Sequence, residues 1–469
     1  MIKFGTDGWR GIIGEDFTFN NVRIVTQAIA DYLKSAKRRG HILLGYDSRF
    51  LSGKYAEVAA GVLAGNGLKV LLGGSPLPTP LVSFTIRDMK LHGGVMVTAS
   101  HNPPIFNGIK FKADFGGSPD EKITNKIEGY LFKNDVRTIP LEEGRRKGLI
   151  TAADDGIVDK YCKCLRSYLN MNAIRKSHIK ILVDTMYGTG NGYIGRVLKG
   201  TNCRVDAIHQ GYDVLFGGVN PEPIAKNLLY LSEVIQKGYY DIGIATDGDG
   251  DRIGAMTPEG RFINPHQILS LLLLHFIENR KWTGSVAKTI SSTYLINKIA
   301  SRYGIKLYET PVGFKHIADL MRKEDILIGG EESGGLGFKG YTYERDGILS
   351  GLLLIEMMSV RRKGIIEILK DVEKEFGRFC YEREDMEYPD KLKKRMVRVL
   401  KKNPPRKLSG KNVIELKSYD GIKFICEDDS WLLLRLSGTE PILRIYAEAD
   451  SKEKVLGLIK AGKRLAFSV

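Results

Sequence analysis

The chain has 469 residues, 43% hydrophobic and 27% charged, which excludes a disordered or fibrous protein. Its length exceeds one ordinary core and implies three or four domains at about 100 to 200 residues each. No uncharged apolar run reaches the roughly 18 residues of a membrane-spanning helix, and Lys plus Arg exceed Asp plus Glu by 71 − 55 = 16. That excess directs attention to anionic partners. The opening MIKFGTDGWRG lacks the apolar core of a signal peptide, and the five cysteines show no metal-site spacing. Reduced thiols and a cytoplasmic location are therefore expected, with no membrane partner.

In chain order, short apolar runs alternate with longer amphipathic ones. HILLGYD (41–47) reads as a strand, SGKYAEVAAGVLAGNG (52–67) as a helix with Ser52 as N-cap, and LKVLLGG (68–74) and GGVMVTAS (93–100) as strands. The rhythm restarts at IKILVDT (179–185), CRVDAIH and DIGIATD, and again at VAKTIS, IKLYET and ILIGGEE. ILSLLLLHFI (268–277) reads as a buried helix. Beyond about residue 370 the pattern changes to a basic amphipathic helix, KLKKRMVRVLKKNPPRK (391–407), then two strands, SWLLLRLSG and PILRIYAEA, and a helix from Ser451. The basic helix lacks the aromatic interleaving of a nucleic-acid reader, so no specific nucleic acid is expected. Boundaries near 153, 256 and 369 give four segments, 1–152, 153–256, 257–368 and 369–469.

Three strand-like runs stop at polar or glycine-rich loops, and in α/β sheets ligands bind beyond the carboxyl ends of strands. VMVTASHNPP ends at Ser100, which alone is either a turn residue or a nucleophile. DGDGDR sets Asp247, Asp249 and Asp251 at alternate positions, an oxygen-only donor set suited to Mg²⁺. An EF-hand fails, because its sixth position is Arg252 and its twelfth is Pro258. GEESGG brings Glu331, Glu332 and Ser333, acceptors and donors suited to sugar hydroxyls, or else forms a solvated turn. In RLSGTEPILR, Arg435 and Arg444 flank Ser437, Gly438 and Thr439, a candidate phosphate cradle or a plain hairpin. Gly190, Gly192 and Gly195 satisfy GxGxxG and raise a dinucleotide-dependent oxidoreductase as a rival. Their register after IKILVDT is poor, and Asp206 comes too early.

Together, FGTDGWRG, TASHNPPIFNGIK, DGDGDR, GEESGG and RLSGTEP resemble, in order and approximate spacing, the α-D-phosphohexomutase superfamily of phosphoglucomutases and phosphomannomutases. The resemblance spans essentially the whole chain. It implies an α/β protein: three related mixed α/β domains plus a smaller C-terminal α+β domain around a central cleft. It implies a phosphoserine at Ser100, with Mg²⁺ held by Asp247, Asp249, Asp251 and the phosphoserine oxygen. Arg10, His101, Lys110, Arg252 and Lys288 would line the reaction centre, Glu331 and Ser333 would bind sugar hydroxyls, and Arg435, Ser437, Gly438 and Thr439 would hold the other phosphate. The implied reaction interconverts hexose 1-phosphate and hexose 6-phosphate through a 1,6-bisphosphate that turns over in the site, with glucose 1,6-bisphosphate as activator and a monomer or dimer as the working form. Dual-specificity members of the superfamily tend to end the sugar loop in histidine, whereas Gly335 stands here, and TPVGFKHI (310–317) is closer to phosphoglucomutases. The expected order of substrates is glucose, mannose, then glucosamine phosphates.

Overall fold

The computed structural model describes residues 2–5, 8–38, 40–436 and 441–468. It forms two compact units, Met1–Thr283 with Gly313–Ile366, and Gly284–Val312 with Glu367–Val469. This division cuts across the expected 257–368 segment. Residues 284–312 join the C-terminal region because its polar groups anchor them: Lys423 Nζ donates to the Ile290 carbonyl at 2.6 Å, and the Tyr294 and Val312 N–H groups donate to Glu448 and Asp420, each at 2.7 Å.

In the first unit, His41–Tyr46 pairs in parallel with Lys69–Gly73 and with Gly94–Val97, while Phe106–Lys112 returns antiparallel beside Gly94–Val97. Trp9–Ile12 and Ile150–Ala153 complete this six-stranded sheet at its edges. Val95, Met96 and Val97 are fully buried, as a strand covered on both faces requires. Helices Phe19–Ser35 and Ser52–Gly65 supply one cover, packing Val25, Ile29, Ala56 and Leu63 onto Ile42, Leu44, Val95 and Val97. Ser52 is not the N-cap that the sequence suggests. Leu51 precedes the helix in a left-handed conformation, and the Ser52 hydroxyl donates instead to the buried Asp47 carboxylate at 2.7 Å.

A second sheet orders Phe262–Ile263, Ile253–Met256, Ile242–Thr246, Lys180–Asp184 and Arg204–Ile208. Lys180–Asp184 pairs in parallel with Ile242–Thr246, which turns back antiparallel into Ile253–Met256. Ile326–Gly330 turns back into Leu336–Phe338 in the same way. The serine, aspartate and GEESGG loops are thus three hairpin connections, each leaving the carboxyl end of a buried strand. The apolar helix runs from Pro265 to Leu274, with Asn264 and Gln267 capping each other's backbone N–H groups.

In the second unit, Cys380–Glu387, Ile442–Ala449, Trp431–Leu436, Ile422–Cys426, Lys411–Lys417 and Lys407–Leu408 follow one another antiparallel. Helices Asp390–Lys402 and Lys452–Phe467 bury Met396, Leu400, Val455 and Leu458 with Leu432 and Leu434, while Trp431 and Leu433 join Ile290 and Tyr446 in a separate cluster. Both faces of that strand are covered, so WLLL reads as continuous rather than alternating. The basic helix buries only Met396 and Leu400 and leaves most of its cations exposed. Among the described residues, no helix is long and apolar enough to cross a membrane.

The first unit is further held by Glu356 in helix Gly347–Arg361, which accepts from Arg280 Nη2 at 2.5 Å, Arg280 Nε at 2.8 Å, and His275 Nε2 and the Asn170 N–H at 3.0 Å each. Burial raises its pKa, but the bonds from His275 and Arg280 outweigh it and hold the carboxyl at about 2 instead of 4.5. A depressed acid contributes stability above its unfolded pKa and loses it as pH falls through the folded value, here from about 4.5 towards 2. Glu356→Gln is expected to destabilise the protein by about 3 kcal/mol at pH 7, because the half-buried Arg280 loses its buried counter-charge. The deficit shrinks as pH falls below 4.5. Urea unfolding at pH 7 and in that acid range measures both, and an unchanged midpoint at pH 7 contradicts the account.

Candidate active site

Ser100 follows strand Gly94–Val97 by three residues and adopts φ 55°, a left-handed conformation unfavourable for a residue with a Cβ. Surrounding polar groups impose it. The Ser100 N–H donates to Thr98 Oγ1 at 2.8 Å, and Thr98 Oγ1 donates to Asp47 Oδ2 at 2.6 Å. The Arg49 guanidinium, paired with Asp47 at 3.1 Å, donates to four carbonyls: Ser100 and Asn102 at 2.6 Å, Pro103 at 2.8 Å and Phe106 at 3.0 Å. The loop is thereby moulded around a buried cation, and Ser100 Oγ donates to Asp247 Oδ2 at 2.8 Å. Asp47 and Arg49 were not singled out from the sequence. The available signal was YDSR, a polar stop directly after HILLG, like the stop at Ser100.

Asp247, Asp249 and Asp251 are fully buried, and one carboxylate oxygen from each lies within 4.8 Å of the others. Lys110 Nζ donates to Asp249 Oδ2 at 2.8 Å and to Asp251 Oδ2 at 3.3 Å, and Thr79 Oγ1 donates to Asp249 Oδ2 at 2.6 Å. Arg345 Nη2 donates to Asp251 Oδ2 at 2.7 Å. Burial, then Asp249 and Asp251, push the Asp247 carboxyl well above its ordinary range. Burial also acts upward on Asp249, but Lys110 overrides it and holds that carboxyl below its ordinary range. Asp249 Oδ1 and Asp251 Oδ1 are buried and accept no hydrogen bond. Buried carboxylate oxygens without donors are costly, and three of these side chains together form the donor set of a hard divalent cation. The residues present therefore fit a metal.

Two glycines of this region, Gly248 and Gly190, are there for close packing. A Cβ on Gly248 would stand 2.6 Å from the Ser100 carbonyl oxygen, so only glycine lets the two loops approach. A Cβ on Gly190 would meet Thr246 Oγ1 at 2.4 Å, and the Thr189 N–H donates to the Gly248 carbonyl at 3.0 Å. The GxGxxG stretch is thus a buttress for the aspartate loop. The helix after it, Tyr193–Leu198, is under two turns long.

Arg10 donates to Asn102 Oδ1 at 2.6 Å, and His101 Nδ1 lies 3.4 Å from Ser100 Oγ. Removal from water, then Arg252, Arg10, Lys110 and Arg49, keep His101 well below its ordinary pKa, hence neutral at pH 7. The Arg252 N–H donates to Asp247 Oδ1 at 3.1 Å, and its side chain is 3.7 Å from Glu222. The GEESGG hairpin joins this loop through backbone: Ile253 N–H donates to the Gly334 carbonyl at 3.1 Å, and Arg252 bridges Gly335. Glu331 accepts from the Gly313 N–H at 3.1 Å and faces Arg345 at 3.4 Å. Burial lifts its pKa to about 7 against the pull of Arg345. Ser333 is half-buried on the same turn. Arg345, also unforeseen, fills the space over Gly335, where a Cβ would come within 2.2 Å of Arg345 Cδ.

Three expected residues belong to the second unit. Lys288 is fully buried and spends its ammonium on the Thr293 carbonyl at 2.8 Å and Asn297 Oδ1 at 2.6 Å, with Glu309 at 3.6 Å. It shapes the 290–297 loop. Arg435 and Arg444 stand directly opposite on antiparallel strands, paired with Asp420 at 2.9 Å and Asp385 at 3.6 Å respectively. Ser437, Gly438 and Thr439 lie outside the described residues.

Similarity to known proteins follows the same chain order. Phosphoglucomutase/phosphomannomutase alpha/beta/alpha domains I, II and III match residues 1–138, 159–260 and 264–376, and the C-terminal domain of that family matches 387–461. A Thermococcus kodakarensis protein named phosphoglucomutase/phosphomannomutase is 29% identical over 98% of both chains. One from Pyrococcus furiosus named for a phosphoglucosamine mutase is 30% identical over 98% of this chain and 97% of its own. A crystal structure from Thermus thermophilus named for a phosphomannomutase superposes with TM-score 0.88 at 35% identity, covering 99% of this chain and 98% of its own. The fold is that of an α-D-phosphohexomutase, with mixed α/β sheets and an antiparallel C-terminal sheet. The chain belongs to the phosphoglucomutase/phosphomannomutase family, whose members are mutases of the isomerase class.

Because Gly248 sets the distance between the two loops, Gly248→Ala is expected to lower kcat by about 100-fold. Gly195→Ala, where a Cβ meets nothing within 4 Å, should leave kcat near wild type. Steady-state mutase assays test the pair, and a Gly195→Ala enzyme impaired as severely as Gly248→Ala would contradict the packing account.

Proposed function

We propose that the protein interconverts hexose 1-phosphate and hexose 6-phosphate through phosphorylated Ser100 and a hexose 1,6-bisphosphate, with glucose phosphates preferred over mannose and glucosamine phosphates. The observation that carries this reading is the buried Ser100 hydroxyl 2.8 Å from Asp247 of the carboxylate cluster. Mg²⁺ bound by Asp247, Asp249 and Asp251 with a phosphoserine oxygen would supply charge neutralisation at the transferring phosphoryl group. In the forward step a sugar hydroxyl oxygen bonds to phosphorus as the P–Oγ bond of Ser100 breaks. The hydroxyl proton ends on Ser100 Oγ, and neutral His101, 3.4 Å away, is a titratable group in reach of that path. After the bisphosphate turns over, its other phosphoryl group transfers to Ser100 by the reverse exchange. Glucose 1,6-bisphosphate would restore phospho-Ser100 whenever water removes the phosphoryl group.

Lys110, Arg10 and Arg252 supply fixed positive charge at this centre. Arg49 holds the serine loop from beneath. Glu331 and Ser333 take the sugar hydroxyls, while Arg435, Ser437, Gly438, Thr439 and Arg444 hold the phosphate that does not react. Segments 1–152, 153–256, 257–368 and 369–469 each contribute one of these loops. Glucose preference is supported by Gly335, where dual-specificity members tend to carry histidine, and by TPVGFKHI, which is closer to phosphoglucomutases. A cytoplasmic location accords with five free cysteines.

Ser100→Ala should abolish conversion of glucose 1-phosphate to glucose 6-phosphate with the fold retained by circular dichroism, and undiminished turnover would refute the carrier role. Asp249→Asn should raise the Mg²⁺ concentration for half-maximal activity at least about tenfold. Activity of either enzyme that is indifferent to chelator would remove the metal from the reaction. Catalytic efficiencies on glucose, mannose and glucosamine 1-phosphates, with bisphosphate present, decide the substrate order.

A further inference from the structure

We propose that Asp420 is the positioning residue of Arg435, fixing the guanidinium in the orientation that receives the substrate's non-reacting phosphate. The proposal rests on the phosphate role given to Arg435 above. Asp420 lies in the turn between strands Lys411–Lys417 and Ile422–Cys426. Arg435 Nε donates to both of its oxygens at 2.9 Å. One of those oxygens, Oδ2, also accepts the Val312 N–H at 2.7 Å. The carboxylate is therefore held by backbone independently of the arginine, which is what a template for a side chain needs.

The turn is itself pressed against the strand that carries Arg435. Gly421 has φ 90°, and a Cβ there would meet the Leu434 carbonyl at 2.6 Å and Arg435 Cα at 3.1 Å. On its far side Tyr419 Oη donates to Glu309 Oε1 at 2.8 Å, and Lys417 Nζ donates to the same oxygen at 2.9 Å. These contacts leave Asp420 little freedom to follow a displaced arginine.

The cross-strand register gives the pairing its purpose. Arg435 and Arg444 face each other directly, an arrangement that repels unless charge is supplied. Asp420 draws on Arg435 from one side, and Asp385, opposite Arg444 in the next strand pair, draws on Arg444 from the other. The row reads carboxylate, arginine, arginine, carboxylate. Asp420 restrains Arg435 at 2.9 Å, whereas Asp385, 3.6 Å from Arg444, is held chiefly by Arg383 at 2.6 and 2.7 Å. Two cations side by side suit a doubly charged phosphate.

Positioning and plain electrostatics make opposite forecasts for one variant. Asp420→Asn keeps an oxygen for the Val312 N–H but deletes a negative charge near the phosphate. If charge alone mattered, phosphate binding would tighten. If Asp420 positions Arg435, KM for glucose 1-phosphate and the inhibition constant of inorganic phosphate should both rise, about tenfold, with kcat affected less. Asp420→Glu, which retains charge but moves the carboxylate, should also raise KM. In an Arg435→Ala background Asp420→Asn should add nothing, because the arginine that it orients is gone. A KM for Asp420→Asn at or below wild type, or independent multiplication of the two effects, overturns the proposal. An Arg435→Ala enzyme with wild-type KM would instead refute the phosphate role of Arg435.

Discussion

Burying three carboxylates within 4.8 Å of one another is the constraint to which the rest of the first unit answers. At such spacing, like charges repel strongly in a poorly solvated interior. The chain offsets part of that repulsion with Lys110, Arg345 and the Thr79 hydroxyl. Two carboxylate oxygens still lack donors. The cluster is consequently incomplete as a purely structural feature and offers the oxygen donors that fit a divalent cation.

The same constraint explains the backbone geometry around Ser100. To bring a serine hydroxyl onto Asp247, the loop must turn through a left-handed residue and pass within a glycine's width of the aspartate loop. Arg49 makes this tolerable by binding four carbonyls of the tight turn. Buried positive charge beneath the serine loop and buried negative charge beside it then face each other across the hydroxyl. For the reaction proposed above this is preorganisation, with dipoles and charges fixed in advance.

Much of the architecture was legible because it rests on local pattern. Apolar runs such as VMV and IGIA marked buried strands, and their abrupt polar ends marked the loops. That each loop is a hairpin was not legible, since the return strands Ile253–Met256 and Leu336–Phe338 are too short to stand out in sequence. Arg49, Asp47 and Arg345 escaped notice for a different reason. A charged residue reads as solvated until its tertiary partners are known, and the partners of Arg345 lie 94 and 14 residues away. Lys288, which the family resemblance implies at the reaction centre, has an ammonium that donates to Thr293 and Asn297 of the segment that follows its strand, contacts that no local sequence pattern announces. The GxGxxG match likewise recorded one glycine needed for packing, Gly190, beside a left-handed Gly192 and an uncrowded Gly195, which the same spacing cannot distinguish from a nucleotide turn.

The central claim is that Ser100 carries the phosphoryl group between the two ends of the sugar. Its most direct test is to incubate dephosphorylated protein with glucose 1,6-bisphosphate carrying a radioactive phosphorus label and to map the label by peptide mass spectrometry. The account predicts stoichiometric label on Ser100 alone, discharged by glucose 1-phosphate into labelled bisphosphate. Label on another residue, or label on Ser100 that glucose 1-phosphate does not remove, would contradict it.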